Sequence, residues 1–280
     1  MQQLETLRNE MVLRNFSQKT VKAYLFANEK FLGFVKKAAD EVTQADIERY
    51  LLLLAEKGLA PTTRHLAVSA LRFYYCCVLK RRFRMVYPKV GNHLPLVISR
   101  ENVLRMIDTT MNIKHKLLLV LLYSSGLRVS EAVKLKLADI DAARKCLLVR
   151  QGKGGKDRIV IVSETFLRIL EEFLPLRKRE SDYLFYSDRM DKTHISVKTA
   201  EKIVENAASR AGIKAYCHAL RSSFATHLIE NGTDVHFVQR LLGHSSIRTT
   251  QGYLRVADSS LLKVKSPIDC YAKLSPVKLK

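Results

Sequence analysis

Apolar residues recur at helical spacing through the first 85 residues. Between residues 17 and 37 they fall on one face of a helix, and Ser17 stands before them as an N-cap. A second helix is predicted in VTQADIERYLLLLAEKG, where Thr43 and Asp46 have the spacing of a capping box. A third pattern follows in PTTRHLAVSALRFYYCCVLKRR. We therefore expect residues 1–85 to be entirely helical.

The pattern changes after a segment that contains three helix breakers between residues 84 and 95, Pro88, Gly91 and Pro95. Helical patterns then alternate with one β signal. Short apolar runs at Cys146–Val149 and Ile159–Val162 flank QGKGGKDR, a polar, glycine-rich turn that is typical of a hairpin. Helical patterns return from residue 164 onward. The pattern predicts a mainly α-helical protein with a small antiparallel β-sheet.

The net charge of the chain limits the kinds of partner that it can bind. Lys and Arg total 48 against 27 Asp and Glu, a net charge of +21, which indicates a polyanionic partner. Residues 1–85 carry +7 and the remainder +14, so both parts are basic. The chain has no Trp, and its longest apolar run, Leu117 to Tyr123, is too short for a membrane span. We expect nucleic acid as the partner and no membrane association.

The first ten residues, MQQLETLRNE, resemble neither a secretion signal nor a transit peptide, so a cytoplasmic location is expected. The five cysteines are odd in number and have no metal-ligand spacing. We interpret them as buried thiols. No carboxylate cluster for a metal is evident, and no cofactor is predicted.

Five short motifs bring together the groups that phosphoryl transfer needs. Such a reaction requires a nucleophile, a cationic clamp for the crowded phosphorane, a base and an acid. A guanidinium stays charged, and its planar fork matches two phosphate oxygens, whereas an imidazole both takes and gives a proton near neutral pH. The motifs, in chain order, are GLRVSE with Arg128, QGKGGK with Lys153, CHALR with His218 and Arg221, LLGH with His244, and TTQGY with Tyr253.

These residues, in this order and at these separations, resemble the catalytic set of the tyrosine recombinase, or phage integrase, family. GLRVSEAVKL and SFATHLIENG look nearest to the Xer recombinases. The resemblance implies a two-domain clamp around duplex DNA. Its implied parts are a helical SAM-like core-binding domain at 1–85, a linker at 86–96, an α+β catalytic domain at 97–258 and a tail at 259–280.

The resemblance also implies a role for each residue. Tyr253 would attack the DNA phosphate and form a 3′-phosphotyrosine bond, without metal or ATP. His218 would be the base, and Lys153 would protonate the departing 5′ oxygen. Arg128 and Arg221 would clamp the phosphate, and His244 would donate a hydrogen bond to it. Four protomers on two double-stranded DNA sites would exchange strands through a Holliday junction.

Several points stay open on the sequence alone. Lys156 competes with Lys153 in the same turn, and Glu131 either orients Arg128 or forms an ordinary surface salt bridge. His227, in SFATHL, is expected to be a packed histidine rather than a catalytic one. The tail either exchanges between protomers or packs on its own domain.

Two other functions fit parts of the pattern. Type IB topoisomerases use similar Arg, Lys, His and Tyr chemistry, but HALR, LLGH and a helical N-terminal domain favour recombination. A decayed, purely DNA-binding protein would carry the same charge. The expected residue type stands at all six catalytic positions, which charge alone does not require.

Overall fold

The computed structural model describes residues 4–91, 94–150, 157–189 and 193–243, together with Thr250 and Tyr253. The chain divides into two compact units, Met1–Asn92 and His93–Lys280, and each unit has a hydrophobic core of its own. Between residues 80 and 99, the described part of the chain contains neither helix nor strand. The units are therefore described separately.

Every regular element in the described residues of the first unit is helical. Its elements are α1 (Glu5–Leu13), α2 (Gln18–Val35), α3 (Gln44–Glu56), α4 (Pro61–Arg72) and a π-helical turn at Phe73–Val78. The predicted start signals are confirmed: Ser17 Oγ accepts a hydrogen bond from the Thr20 amide at 3.1 Å, and Thr43 and Asp46 form a reciprocal capping box. The sequence pattern did not reveal α1. It buries only Leu7 and Met11, which is too few positions to mark an apolar face.

The core of the first unit is rich in aromatic rings. Phe31 packs edge-on against Tyr50 and Tyr75, with ring centroids 5.1 and 6.0 Å away. The guanidinium of Arg81 donates to the main-chain oxygens of three residues between α2 and α3, Ala39, Asp40 and Val42. These bonds hold the connection between α2 and α3 against the segment that follows the π-helical turn.

The second unit combines helices with a small sheet. Three helices come first: α5 (Arg100–Asp108), α6 (Ile113–Ser125) and the short α7 (Val129–Ala132). The strands β1 (Ile140–Asp141), β2 (Cys146–Val149) and β3 (Arg158–Ile161) follow. After the sheet, the described residues include α8 (Glu164–Phe173), α9 (Val197–Arg210), α10 (Cys217–Glu230) and α11 (Val235–Leu242). The structure confirms the predicted fold class, mainly helical with a small antiparallel sheet.

The sheet has the strand order β1-β2-β3, and both pairings are antiparallel. Cys146 pairs with Ile161 and Val149 with Arg158, so β2 and β3 form the predicted hairpin. Its turn, residues 151–156, lies outside the described residues. β3 begins one residue earlier than predicted, and β1 was not predicted because its two residues are too few to show an alternation.

Helix α6 is the centre of the second unit. Its residues Leu117–Leu122 are all buried, and it packs against α8 and α10. A helix that is apolar on every side must be covered on every side. Its C-terminus is therefore held deep in the unit, at Gly126. None of the helices in the described part of the chain combines the length and apolar character needed to cross a bilayer.

The expectation that the cysteines are buried thiols is only partly right. Cys217 is buried, and burial raises the pKa of its thiol to about 12. Cys76, Cys77 and Cys146 are half-buried, and all four of these residues are free thiols. Cys270 lies outside the described residues.

Candidate active site

Helix α10 carries two of the predicted residues, His218 and Arg221, three positions apart and hence on neighbouring parts of one face. Arg221 is almost fully buried, with 2% of its surface exposed. Its Nη1 donates to the main-chain oxygen of Gly126 and its Nη2 to that of Leu242, the latter at 2.7 Å. Burial, and then the charge of Arg128, lowers the pKa of Arg221 to about 10, so the side chain stays charged at neutral pH.

The backbone at Gly126 explains how Arg221 reaches its position. Gly126 ends α6 with φ of +61°, a conformation that glycine adopts without strain. A Cβ at this residue would lie 2.3 Å from Cδ1 of Phe224, so only glycine allows α6 to end this close to α10. The end of α6 is thereby placed within reach of the Arg221 guanidinium.

Arg128 lies at the N-terminal end of α7, and its guanidinium approaches the same main-chain oxygen as that of Arg221. Its Nη1 donates to Glu131 Oε1 at 2.9 Å and to the main-chain oxygen of Leu242 at 3.5 Å. Arg128 and Arg221 therefore share one carbonyl acceptor. About a quarter of the Arg128 side chain, 26%, is exposed, in contrast to Arg221. The two predicted clamp residues converge.

Glu131 is a buried carboxylate and not part of a surface salt bridge, so that alternative is wrong. Its side chain is 8% exposed, and its Oε2 accepts from the Arg128 amide at 2.9 Å. It also accepts two hydrogen bonds from Arg158, at 2.9 and 2.7 Å. Burial alone would raise the pKa of Glu131, but the bonds from Arg158 and Arg128 outweigh it and lower the pKa to about 2. Glu131 is ionised at neutral pH.

Arg158 was not among the predicted site residues. A usable signal was present, because side chains alternate along a strand and Arg158 shares the side of β3 that holds the buried Val160. An arginine on the inward side of a strand needs a buried partner. Glu131 is that partner.

His218 lies at the open side of the site. Its side chain is exposed, although part of the ring is shielded from water. That shielding, and then the charges of Arg221 and Arg128, lower the pKa of His218 below its ordinary value of 6.5. The imidazole is therefore mainly neutral at neutral pH, which is the form that accepts a proton.

Tyr253 is buried, with 4% of its surface exposed. It belongs to a hydrophobic cluster with Phe224, Ala225, Ile229, Val238 and Leu242. It also lies within electrostatic range of Arg221. Because Phe224 is on α10 and Leu242 ends α11, the phenol is held between the helices that position the clamp.

The structure thus brings Arg128, His218, Arg221 and Tyr253 into one site. Lys153 and its competitor Lys156, together with His244, lie outside the described residues. Gly243, directly before His244, ends α11 with φ of +63°.

His227 is packed, as expected. It is 8% exposed, and its Nδ1 is hydrogen bonded to the Tyr123 hydroxyl at 2.8 Å. Within the described ranges there is no group of three or more His, Cys, Asp or Glu residues that could hold a metal ion.

A cleft of about 780 Å³ opens beside Arg128 and Glu131. Its charged lining comprises the cations Arg128, Lys134, Lys136 and Arg150 and the acids Glu131, Asp139 and Asp157. The buried Asp139 accepts a bond of 2.7 Å from Arg150, whose side chain is 60% exposed. The surface next to the clamp therefore presents further cations to solvent.

The arrangement is suited to transfer of a phosphoryl group. Two fixed guanidinium groups can stabilise charge on non-bridging phosphate oxygens, and a neutral imidazole can accept a proton. A phenol near them can act as the nucleophile.

Comparison with known proteins agrees with the fold. Residues 97–260 match the model of the phage integrase family, and residues 4–84 match the phage integrase N-terminal SAM-like domain. The chain belongs to the phage integrase family. It is a tyrosine recombinase, similar to Xer recombinases over almost its whole length.

Individual relatives support this assignment. Tyrosine recombinase XerA of Pyrococcus furiosus is 37% identical over 265 residues, which cover 92% of this chain and 91% of that protein. A crystal structure of XerA recombinase is 32% identical with a TM-score of 0.56, covering 99% of this chain and 100% of the other. A lambda integrase tetramer bound to a Holliday junction has the same fold, with 19% identity, a TM-score of 0.68 and coverage of 90% and 76%.

Proposed function

We propose that this tyrosine recombinase cuts and rejoins DNA at specific sites, with Tyr253 as the nucleophile. The observation that carries the proposal is that Arg128 and Arg221 donate to the same oxygen, that of Leu242, while Tyr253 lies within electrostatic range of Arg221. Two cations and a phenol therefore meet at one place.

In the proposed reaction, the Tyr253 oxygen attacks phosphorus and the 5′ oxygen of the next nucleotide leaves. His218 accepts the phenolic proton, and Arg128 and Arg221 stabilise the charge that develops on the phosphorane. The bond from phosphorus to the 5′ oxygen breaks as the bond to tyrosine forms. The 3′-phosphotyrosine therefore keeps the energy of the phosphodiester, and a 5′ hydroxyl of another strand can reverse the step without a cofactor.

Two further roles follow from the family resemblance. Lys153, in the turn between β2 and β3, would protonate the departing 5′ oxygen, and His244 would donate a hydrogen bond to a non-bridging oxygen.

Because the buried Tyr253 packs against helices of its own chain, the geometry supports cleavage by the tyrosine of the same protomer that clamps the phosphate.

We propose duplex DNA as the partner and a homotetramer on two DNA sites as the active assembly. The lambda integrase tetramer on a Holliday junction supports this stoichiometry, and the positive charge of both parts of the chain supports the DNA partner. Residues 1–85 would be the core-binding domain, 86–96 the linker, 97–258 the catalytic domain and 259–280 the tail. A reaction on DNA also favours a cytoplasmic location.

The test is covalent capture of DNA. Duplexes selected by the protein from a random pool are nicked next to the cleavage position, so that the released fragment diffuses away, and are incubated with protein in EDTA. The wild type should form an adduct that survives denaturing electrophoresis. Tyr253→Phe should bind DNA and form none, whereas Tyr216→Phe, a change at a tyrosine that is 49% exposed, should react like the wild type.

Three outcomes would contradict the proposal. An adduct that persists in Tyr253→Phe would place the nucleophile elsewhere. Efficient relaxation of plasmids that lack the selected site would instead support a type IB topoisomerase, and tight binding without any adduct would indicate a purely DNA-binding protein.

A further inference from the structure

Arg158, at the start of β3, makes three side-chain hydrogen bonds next to the clamp. Its Nη1 and Nη2 donate to the two carboxylate oxygens of Glu131 at 2.9 and 2.7 Å. Its Nε donates to the main-chain oxygen of Leu241 at 3.0 Å. The side chains of Arg158 and Glu131 are only 12% and 8% exposed. A paired fork of this kind fixes the orientation of both side chains.

Gly243 shows how closely Arg158 packs on the end of α11. A Cβ at Gly243 would lie 2.9 Å from Cδ of Arg158 and 3.1 Å from its Nε. The positive φ of Gly243 also favours glycine. The Arg158 side chain therefore lies directly against the backbone that leads into His244.

Arg158 reaches the clamp by two routes. Through Glu131 it is connected to Arg128, which donates to the same carboxylate. Through Leu241 it holds the end of α11, whose next carbonyl accepts from both Arg128 and Arg221. Glu131 interacts with all three arginines, Arg128, Arg158 and Arg221, and together these four side chains carry two net positive charges. Those charges suit a phosphate in transfer.

We propose that Arg158 is a positioning residue for DNA cleavage, which orients Arg128 through Glu131 and fixes the end of α11. The inference rests on the function proposed above. Arg158 is not suited to contact DNA itself, because it is nearly buried and each of its three nitrogens donates to the protein. Arg128 is more exposed, and in the described part of the structure only its Nη1 forms side-chain hydrogen bonds.

The proposal has a signature in the pH dependence of cleavage. The charged groups that face Glu131 are Arg128 at the start of α7, Arg158 from β3 and Arg221 from α10, while α11 contributes main-chain oxygens. Without Arg158, burial would still raise the pKa of Glu131, but the largest opposing contribution would be gone. Glu131 would then take up a proton at a higher pH and lose its hold on Arg128.

The experiment compares Arg158→Gln, Arg158→Lys, the double variant Arg158→Gln with Glu131→Gln, and a control, Arg177→Gln. Arg177 is also half-buried, and it donates to the main-chain oxygens of Ser181 and Tyr183, which lie outside the site. For each protein, DNA affinity, thermal unfolding and the rate of adduct formation at saturating nicked DNA are measured between pH 5 and 9.

We expect Arg158→Gln to bind DNA about as well as the wild type and to form the adduct on the order of 10- to 100-fold more slowly, because small misplacements of a reacting group have effects of this size. The rate of adduct formation by Arg158→Lys should lie between those of the wild type and Arg158→Gln. As the pH is lowered, the rate of adduct formation by Arg158→Gln should decline at a pH where the wild-type rate is still undiminished. The double variant should not show that decline. Arg177→Gln should react at the wild-type rate.

Other results would overturn the proposal. A wild-type rate for Arg158→Gln would show that Arg158 positions nothing, and an affinity loss as large as the rate loss would indicate a direct DNA contact. A slower reaction without the new acid decline would indicate a contribution to folding alone. If Arg158→Gln does not fold, a wild-type rate for Arg158→Lys overturns the proposal and a slower rate supports it. If the wild type itself forms no adduct, it is the proposed function that fails.

Discussion

Arg221 donates a hydrogen bond of 2.7 Å to the main-chain oxygen of Leu242, the last residue of α11. Its other terminal nitrogen donates to the oxygen of Gly126, where α6 ends. Carbonyls at helix C-termini have no acceptor role inside their own helix and carry partial negative charge. One buried guanidinium therefore joins two helix ends, and these bonds fix the direction in which it faces the phosphate site.

This relationship predicts that Arg221→Lys is not a conservative change. A lysine keeps the charge, but its single ammonium cannot bond both carbonyls in the geometry of a planar fork. The rate of adduct formation at saturating DNA should fall by on the order of 10²-fold or more. Arg210→Lys, a change at an exposed arginine of α9, is the control and should leave the rate unchanged. A wild-type rate in Arg221→Lys would mean that charge alone is required.

Gly126 should tolerate alanine less well than another glycine of the same unit. Gly232 also has a positive φ, +85°, but a Cβ there meets no atom within 4 Å, whereas at Gly126 it would overlap Phe224. Gly232→Ala should cost about 1 to 2 kcal/mol of unfolding free energy from backbone strain. Gly126→Ala should cost about 1 to 3 kcal/mol more from overpacking. Urea unfolding measures both, and equal losses would show that Phe224 moves aside freely.

The pKa of His218 should be measurable below 6.5. Partial burial and the charges of Arg221 and Arg128 all disfavour the protonated ring. If the neutral ring is the base, cleavage is fully active above this lowered pKa and declines as the pH falls through it. An NMR titration, assigned with His218→Gln, gives the midpoint. Arg128→Gln should shift that midpoint upward, because one of the neighbouring charges is removed, and a midpoint that stays in place would contradict this explanation.

Local signals predicted much of the fold and part of the site. Ser17 and Thr43 cap their helices through neighbouring amides, and such contacts depend on residues three positions apart. The hairpin was readable for the same reason, since its two strands are separated only by a short glycine-rich turn. His218 and Arg221 share a face because helix geometry places residues three apart side by side.

Contacts between distant parts of the chain were not predictable in the same way. Arg158 binds Glu131, 27 residues earlier, and Leu241, 83 residues later. No local pattern records either distance. The low exposure of the Glu131 side chain was equally hidden, because a charged residue in a short helix is normally exposed and its pairing with the distant Arg158 could not be read from the sequence.

Tyr123→Phe tests whether His227 has a structural role, as its packing indicates. The change removes the 2.8 Å hydrogen bond between the Tyr123 hydroxyl and His227 Nδ1 while keeping the ring in place. Leaving a buried ring nitrogen without its partner should cost about 1 to 2 kcal/mol of unfolding free energy. Tyr216→Phe, at an exposed tyrosine, should change the stability by less than about 0.5 kcal/mol. Both variants should still form the covalent adduct. If Tyr123→Phe is as stable as Tyr216→Phe but fails to form it, His227 takes part in the chemistry after all.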